Sequence, residues 1–124
     1  MAKKVLIVDD SESVRMIARI ALREQGYEVV EAANGVEALR QLDAGRVHLV
    51  ISDVNMPEMD GITLLKQIKA SVQHKFTPII MLTTEAGQDK KDEGRAAGAR
   101  AWITKPFQPN TLVAAVSKLM PAGA

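Results

Sequence analysis

The sequence contains no cysteine and no long apolar run. The absence of cysteine excludes disulfide bonds, thiolate zinc sites and cysteine nucleophiles. No apolar stretch approaches the roughly 18 residues that a membrane-spanning helix needs. Lys3 and Lys4 precede Val5–Val8 in the manner of a signal peptide, but that stretch is too short and runs into two acids. We therefore expect a cytoplasmic protein.

An excess of charge of either sign is also missing. Sixteen Lys and Arg residues against fifteen Asp and Glu residues leave a formal net charge of +1. Nucleic-acid-binding domains usually carry a basic patch, so this balance indicates neither nucleic acid nor a membrane surface as a partner. The 124 residues show no repeat and no linker. We expect one monomeric domain over residues 1–124, with no output domain.

Short apolar runs recur along the chain, each followed by a polar loop and a helical pattern. The five runs are Val5–Val8, Tyr27–Val30, His48–Ile51, Pro78–Leu82 and Ala101–Ile103. The first, third and fourth are nearly continuous, which is typical of strands buried on both faces. This alternation predicts an α/β fold: a doubly wound, five-stranded parallel sheet, (βα)5.

Capping residues and apolar stripes predict the helices. Gly26 is placed to end the first, Asn34 and Glu37 form a candidate capping box for the second, and an acid, Asp60, can cap the third. The fourth segment, Gly87–Ala97, has no large apolar residue and is expected to be thinly anchored. The residues predicted to face inward are Val14, Ile17, Ala18, Ala21, Leu22, Val36, Leu39, Leu42, Ile62, Leu65, Ile68, Leu112, Ala115, Val116 and Leu119.

Polar residues stand at the ends of four predicted strands. They are Asp9, Asp10, Asp53, Thr83, Thr84, Thr104 and Lys105. Each alone has an ordinary alternative: the acid pair or Thr83 caps a helix, Asp53 is a turn acid, and Lys105 is solvated. Ligands of open α/β sheets bind beyond the carboxyl ends of the strands, so together these residues predict one site.

The chemistry of this set follows from its charges. Clustered carboxylates repel one another, and a hard cation such as Mg²⁺ relieves the repulsion. Lysine is a point charge suited to a phosphate oxygen, and a carboxylate can be the nucleophile that forms an aspartyl phosphate. The set therefore predicts phosphoryl transfer.

Four motifs carry a closer resemblance: VLIVDDS, SDVNMPEMDG, MLTTEA and WITKPF. Through these motifs, the chain resembles the receiver domain of two-component response regulators over essentially its whole length. The resemblance is closest to the single-domain chemotaxis regulators of the CheY type. The resemblance implies a flavodoxin-like strand order, 2-1-3-4-5. It also implies a signalling domain rather than an enzyme, with only self-catalysed phosphorylation and dephosphorylation.

By position, the resemblance implies that Asp53 is the phosphoacceptor. The cofactor would be Mg²⁺, with Mn²⁺ as a substitute, held by Asp9, Asp10, Asp53 and the backbone carbonyl of Asn55. The donor would be a CheA-like sensor histidine kinase.

The resemblance implies further roles around the phosphoryl group. Thr83 and Lys105 would contact it, and the peptide bond between Lys105 and Pro106 would be cis. Asn55 and Glu85 stand where the family tunes the lifetime of the phosphorylated state.

Thr83 and Trp102 would be the switch residues. Trp102 departs from the Tyr often found there, so an inward swing of the ring does not follow directly, and packing on the sheet edge is the alternative. The family's output surface, which binds a motility or other protein target, involves the fourth helix, the fifth strand and the last helix. Its border here is predicted to be Lys90, Lys91, Arg95, Trp102 and Lys118.

Other functions stay open at this level. A phosphorelay shuttle or phosphate sink would need the same residues. An aspartate-nucleophile phosphatase would carry its nucleophile after strand one in a DxD pattern, whereas this chain has DD there. A flavodoxin-like FMN carrier would need a first loop rich in Ser, Thr and Gly, whereas DDSES is acidic.

Overall fold

A computed structural model describes residues 3–54, 56, 59–84, 92 and 95–120. The strands are β1 (Lys4–Val8), β2 (Glu28–Ala32), β3 (Leu49–Asp53), β4 (Ile79–Thr83) and β5 (Ala101–Thr104). The helices are α1 (Glu12–Glu24), α2 (Gly35–Ala44), α3 (Gly61–Ala70) and the final helix (Pro109–Leu119). Asp92 and Arg95–Ala97 are also helical, and the other residues of the predicted fourth segment lie outside the described ones. Within these ranges, no helix has the length and apolarity to cross a bilayer.

The strands form one parallel sheet in the order β2-β1-β3-β4-β5. This confirms the predicted doubly wound, flavodoxin-like topology. Successive side chains of a strand point to opposite faces. Val5 and Ile7 accordingly join a core with α1 and the final helix, whereas Leu6 and Val8 join a second core with α2 and α3. The runs of β1, β3 and β4 are nearly continuous because both faces of these strands are covered.

The helix ends follow the predicted signals. Gly26 follows Gln25, the C-cap of α1, and has a φ of 92°, a left-handed conformation that glycine adopts without steric cost. The Asn34 side chain accepts the backbone N–H of Glu37 at 2.9 Å, and the Asp60 side chain caps α3 by accepting the N–H of Thr63 at 2.7 Å.

Two predicted inward residues were wrong. Ile17 is 43% exposed and Val36 is 36% exposed. A helix turns about 100° per residue, so Ile17 lies at the margin of the stripe around the buried Ala18, whereas Val36 lies about 160° from the buried Ala38, on the opposite side of α2. The limits of β2 also differ from the predicted run, Tyr27–Val30. The strand extends to Ala32, because its pairing with β1 continues to Val8, the last residue of β1.

His48 ties the start of β1 to β3 and predicts a pH dependence. The Lys4 N–H donates to His48 Nδ1 at 3.0 Å, and the His48 N–H donates to the Lys4 carbonyl at 2.8 Å. Burial lowers the pKa of His48 below its ordinary 6.5, and the cations Arg46, Lys3 and Lys4 lower it further. Its stabilising contribution is therefore complete above pH 6.5 and is lost as the pH falls through the folded value.

We expect the thermal unfolding midpoint to fall by a few degrees more between pH 7 and 5 in the wild type than in His48→Asn. Asparagine offers an acceptor oxygen at the position of Nδ1 and has no titrating ring. Circular dichroism melts at matched pH values measure the difference, and parallel pH profiles would contradict the assignment.

Candidate functional site

The carboxyl ends of β1, β3 and β4 meet at one edge of the sheet and carry the polar residues. Asp53 and Thr83 are themselves the last residues of their strands, not loop residues after them as predicted. The ladder extends this far because Asp53 is paired with Leu82 and Thr83 with Thr104. Backbone hydrogen bonds of the sheet therefore fix the positions from which the Asp53 and Thr83 side chains extend.

Three carboxylates converge at this edge. One oxygen from each of Asp9, Asp10 and Asp53 lies within 4.8 Å of the others. Asp9 and Asp53 are buried, with 0% and 5% exposure, whereas Asp10 is exposed. An all-oxygen donor set of this size, open to water on one side, fits a hard divalent cation such as Mg²⁺.

Lys105 lies directly against the buried acids. Its Nζ is 2.7 Å from Asp9 Oδ2 and 3.2 Å from Asp53 Oδ1, and its side chain is 13% exposed. Burial lowers the pKa of Lys105, but the hydrogen bonds and charges of Asp9 and Asp53 outweigh burial and raise it above 10.5. The lysine is therefore charged at neutral pH, and the solvated-loop alternative is wrong.

The loop after β1 also excludes the helix-cap alternative for the acid pair. Ser11 is the cap of α1, and its side chain accepts the N–H of Val14 at 3.3 Å. Asp9 Oδ1 instead accepts the N–H of Ser11 at 2.8 Å, and the Asp9 N–H donates to the Ala32 carbonyl at 3.1 Å. These bonds orient Asp9 toward the site.

Thr83 is fully buried beside Lys105, whose backbone N–H donates to the Thr83 carbonyl at 2.7 Å. Thr84 and Thr104 are exposed. The peptide bond between Lys105 and Pro106 is cis. Asn55 and Glu85 lie outside the described residues, so their roles stay predictions.

Residues 5–117 match the response regulator receiver domain. The chain belongs to this family. It is 45% identical over 111 residues to chemotaxis protein CheY1 of Helicobacter pylori (strain J99), an alignment covering 88% of this chain and 90% of that protein.

Solved structures agree with the assignment. The structure of Vibrio cholerae chemotaxis protein CheY4 is 47% identical, with a TM-score of 0.92, over 97% of this chain and all of that one. The receiver domain of the Pseudomonas aeruginosa sensor histidine kinase PA1611, solved with a magnesium ion coordinated in its active-site cleft, is 27% identical. Its TM-score is 0.86, over 96% of this chain and 98% of that one.

The predicted output surface of the receiver domain is only partly described. Trp102 is partly buried and packs against the second core. Its Nε1 is buried and has no hydrogen-bond acceptor among the described residues. Arg95 and Trp102 line one cavity of about 120 Å³, whereas Lys118 is exposed near the end of the final helix. Lys90 and Lys91 lie outside the described residues, so this surface stays a prediction.

Two residues near the site were missed by sequence reasoning. Arg15 Nη1 donates to the Asp9 carbonyl at 2.7 Å. Gly61, the first residue of α3, lies so close to the end of β3 that a Cβ would overlap the carbonyl oxygen of Asp53. The sequence offered only weak local signals for them. Arg15 lies early in the helix that follows the acid pair, and Gly61 directly follows the cap residue Asp60.

Proposed function

We propose that this receiver domain accepts a phosphoryl group on Asp53 from a histidine kinase, with Mg²⁺, and thereby controls a protein partner in chemotaxis. The observation that carries the proposal is the convergence of Asp53 with Asp9, Asp10 and the charged Lys105 at one edge of the sheet. Phosphoryl transfer needs mainly positioning and charge stabilisation, and this set supplies both.

Each residue has a definite task in this proposal. An Asp53 oxygen forms the bond to phosphorus while the bond to the donor's leaving group breaks. Lys105, already 3.2 Å from Asp53, pairs with a phosphoryl oxygen. Asp9, Asp10, Asp53 and the Asn55 carbonyl would hold the metal. Bound there, Mg²⁺ would neutralise the charge that the acids and the phosphoryl group bring together, and Mn²⁺, which also takes oxygen ligands, would be a substitute for it.

The relatives support the finer statements. The chemotaxis names of CheY1 and CheY4 favour motility over a phosphorelay shuttle or phosphate sink. The magnesium ion in the PA1611 receiver domain supports the choice of metal. Thr83 and Trp102 would carry the change from the phosphoryl group to the output surface, because they lie on the neighbouring strands β4 and β5.

The test is to incubate the protein with acetyl phosphate, with Mg²⁺ and with a chelator. We expect intact-protein mass spectrometry to show addition of one phosphoryl group only with Mg²⁺, and peptide mapping after borohydride reduction to locate it at Asp53. Labelling without metal, or at another residue, would overturn the proposal. A phosphorylated sample then serves as bait for the motility partner.

A further inference from the structure

Arg15 connects helix α1 to the acid pair and to the sheet. Its Nη1 donates to the backbone carbonyl of Asp9 at 2.7 Å, and its Nε donates to Glu31 Oε1 at 3.2 Å. The Arg15 side chain is only 17% exposed. Bonds from a guanidinium are stronger than neutral ones, and two of them hold this group between the loop and β2.

The carbonyl that Arg15 contacts belongs to the peptide unit between Asp9 and Asp10. A peptide unit is planar and includes the Cα atoms of both residues that it joins. A bond that sets the direction of this carbonyl therefore restricts the orientation of both side chains. The Asp9 N–H donates to the Ala32 carbonyl, and this bond fixes the backbone on the Asp9 side of the peptide unit. The Arg15 bond to the Asp9 carbonyl then constrains the other side, which carries the exposed Asp10.

We propose that Arg15 is a positioning residue for the metal site. Its bond to the Asp9 carbonyl holds the peptide unit so that both carboxylates point at the cation. This inference rests on the proposed function, because it assumes that the acids hold Mg²⁺. Outer partners of metal ligands commonly change metal affinity by about 10–100-fold.

Glu31 anchors Arg15 to the sheet. It is paired with Ile7 in the ladder between β1 and β2, two residues before Asp9. Burial raises the pKa of Glu31, but the hydrogen bonds and charges of Arg19 and Arg15 outweigh burial and lower it. Arg19 Nη1 donates to Glu31 Oε2 at 2.6 Å, yet within the described residues it does not reach the Asp9 loop. Arg19 is therefore a matched control with the same charge and the same acceptor.

The two possible effects of Arg15 on Mg²⁺ have opposite signs. As a cation near the acids, Arg15 repels Mg²⁺, so on charge alone its removal strengthens metal binding. As a positioning residue it prepares the ligands, so its removal weakens metal binding. The sign of the change thus separates positioning from simple electrostatics.

Isothermal titration calorimetry with MgCl₂, without any phosphodonor, measures the sign. We expect Arg15→Met to bind Mg²⁺ about tenfold more weakly than the wild type. Arg15→Lys should recover part of the affinity, since lysine keeps a charged donor. Arg19→Met should stay within about twofold of the wild type, as expected for a surface ion pair. Circular dichroism melts establish that each variant is folded.

The outcomes are distinguishable. A wild-type protein that binds no Mg²⁺ refutes the proposed function itself. A wild-type protein that binds Mg²⁺, with Arg15→Met equal or tighter, overturns only the role of Arg15. Should Arg15→Met fail to fold, Arg15→Gln replaces it: the shorter, neutral side chain loses both the charge and the reach to the Asp9 carbonyl, so weaker Mg²⁺ binding is expected, and equal or tighter binding overturns the proposal.

Discussion

Replacement of Asp53 by asparagine is expected to reduce phosphoryl labelling by at least about a hundredfold, because loss of a nucleophile removes the covalent step. Asparagine has nearly the same shape as aspartate and replaces the attacking carboxylate with an amide. Asp53 ends a buried strand and is paired with Leu82 through its backbone, so the substitution leaves its position unchanged. The initial rate of mass increase with acetyl phosphate at saturating Mg²⁺ measures the loss.

Asp10→Asn is the matched comparison, because it removes an acid from the same cluster without removing the proposed nucleophile. Loss of a proposed metal ligand should raise the half-saturating Mg²⁺ concentration by about tenfold or more. Excess Mg²⁺ should then restore labelling in Asp10→Asn and leave Asp53→Asn unlabelled. Labelling of Asp53→Asn at the wild-type rate would place the phosphoacceptor elsewhere.

Replacement of Gly61 by alanine is expected to lower the free energy of unfolding by about 3 kcal/mol, the upper part of the usual range for overpacking. The new Cβ would overlap the Asp53 carbonyl oxygen and lie 2.9 Å from both the Asp53 carbonyl carbon and Met81 Cε. The carbonyl belongs to the sheet and cannot rotate away like a side chain. The Gly61 N–H also donates to the Val54 carbonyl at 2.8 Å. This hydrogen bond holds the first turn of α3 against the end of β3.

Gly45→Ala is the control for Gly61→Ala. The nearest atom to a Cβ at Gly45 is the flexible Lys4 Nζ, 3.7 Å away, and its φ of 179° suits any residue. We expect this variant to match the wild type or gain up to about 1 kcal/mol, since alanine reduces the entropy of the unfolded chain. Urea titrations followed by circular dichroism compare the two. A loss below about 1 kcal/mol in Gly61→Ala would mean that α3 shifts freely away from β3.

Short-range patterns were sufficient for most of the fold. Short apolar runs marked the five strands, and Gly26, Asn34 and Asp60 marked helix ends, because burial and capping act over a few residues. Ile17 and Val36 were misplaced because apolar character alone does not locate the centre of a helical stripe. The side of a stripe that is buried depends on the elements packed against it.

For the site as well, the sequence located the residues but not their contacts. The acids Asp9, Asp10 and Asp53 were found from their positions at the ends of apolar runs, and Lys105 from its place after the fifth run. Their distances were not predictable, because Lys105 and Asp9 are 96 residues apart and meet only through the strand order. Local reasoning also left helix capping open for the acid pair, and the bonds of Ser11 decided against it.

The residue types and their order thus determined that a doubly wound sheet would carry acids, a hydroxyl and a lysine at its strand ends. The tertiary structure decided which of these groups touch, which are buried and what supports them. Arg15 and Gly61 show the physical reason. Each lies against one backbone carbonyl on a neighbouring element, and such a contact has no signature in the pattern of side chains along the chain.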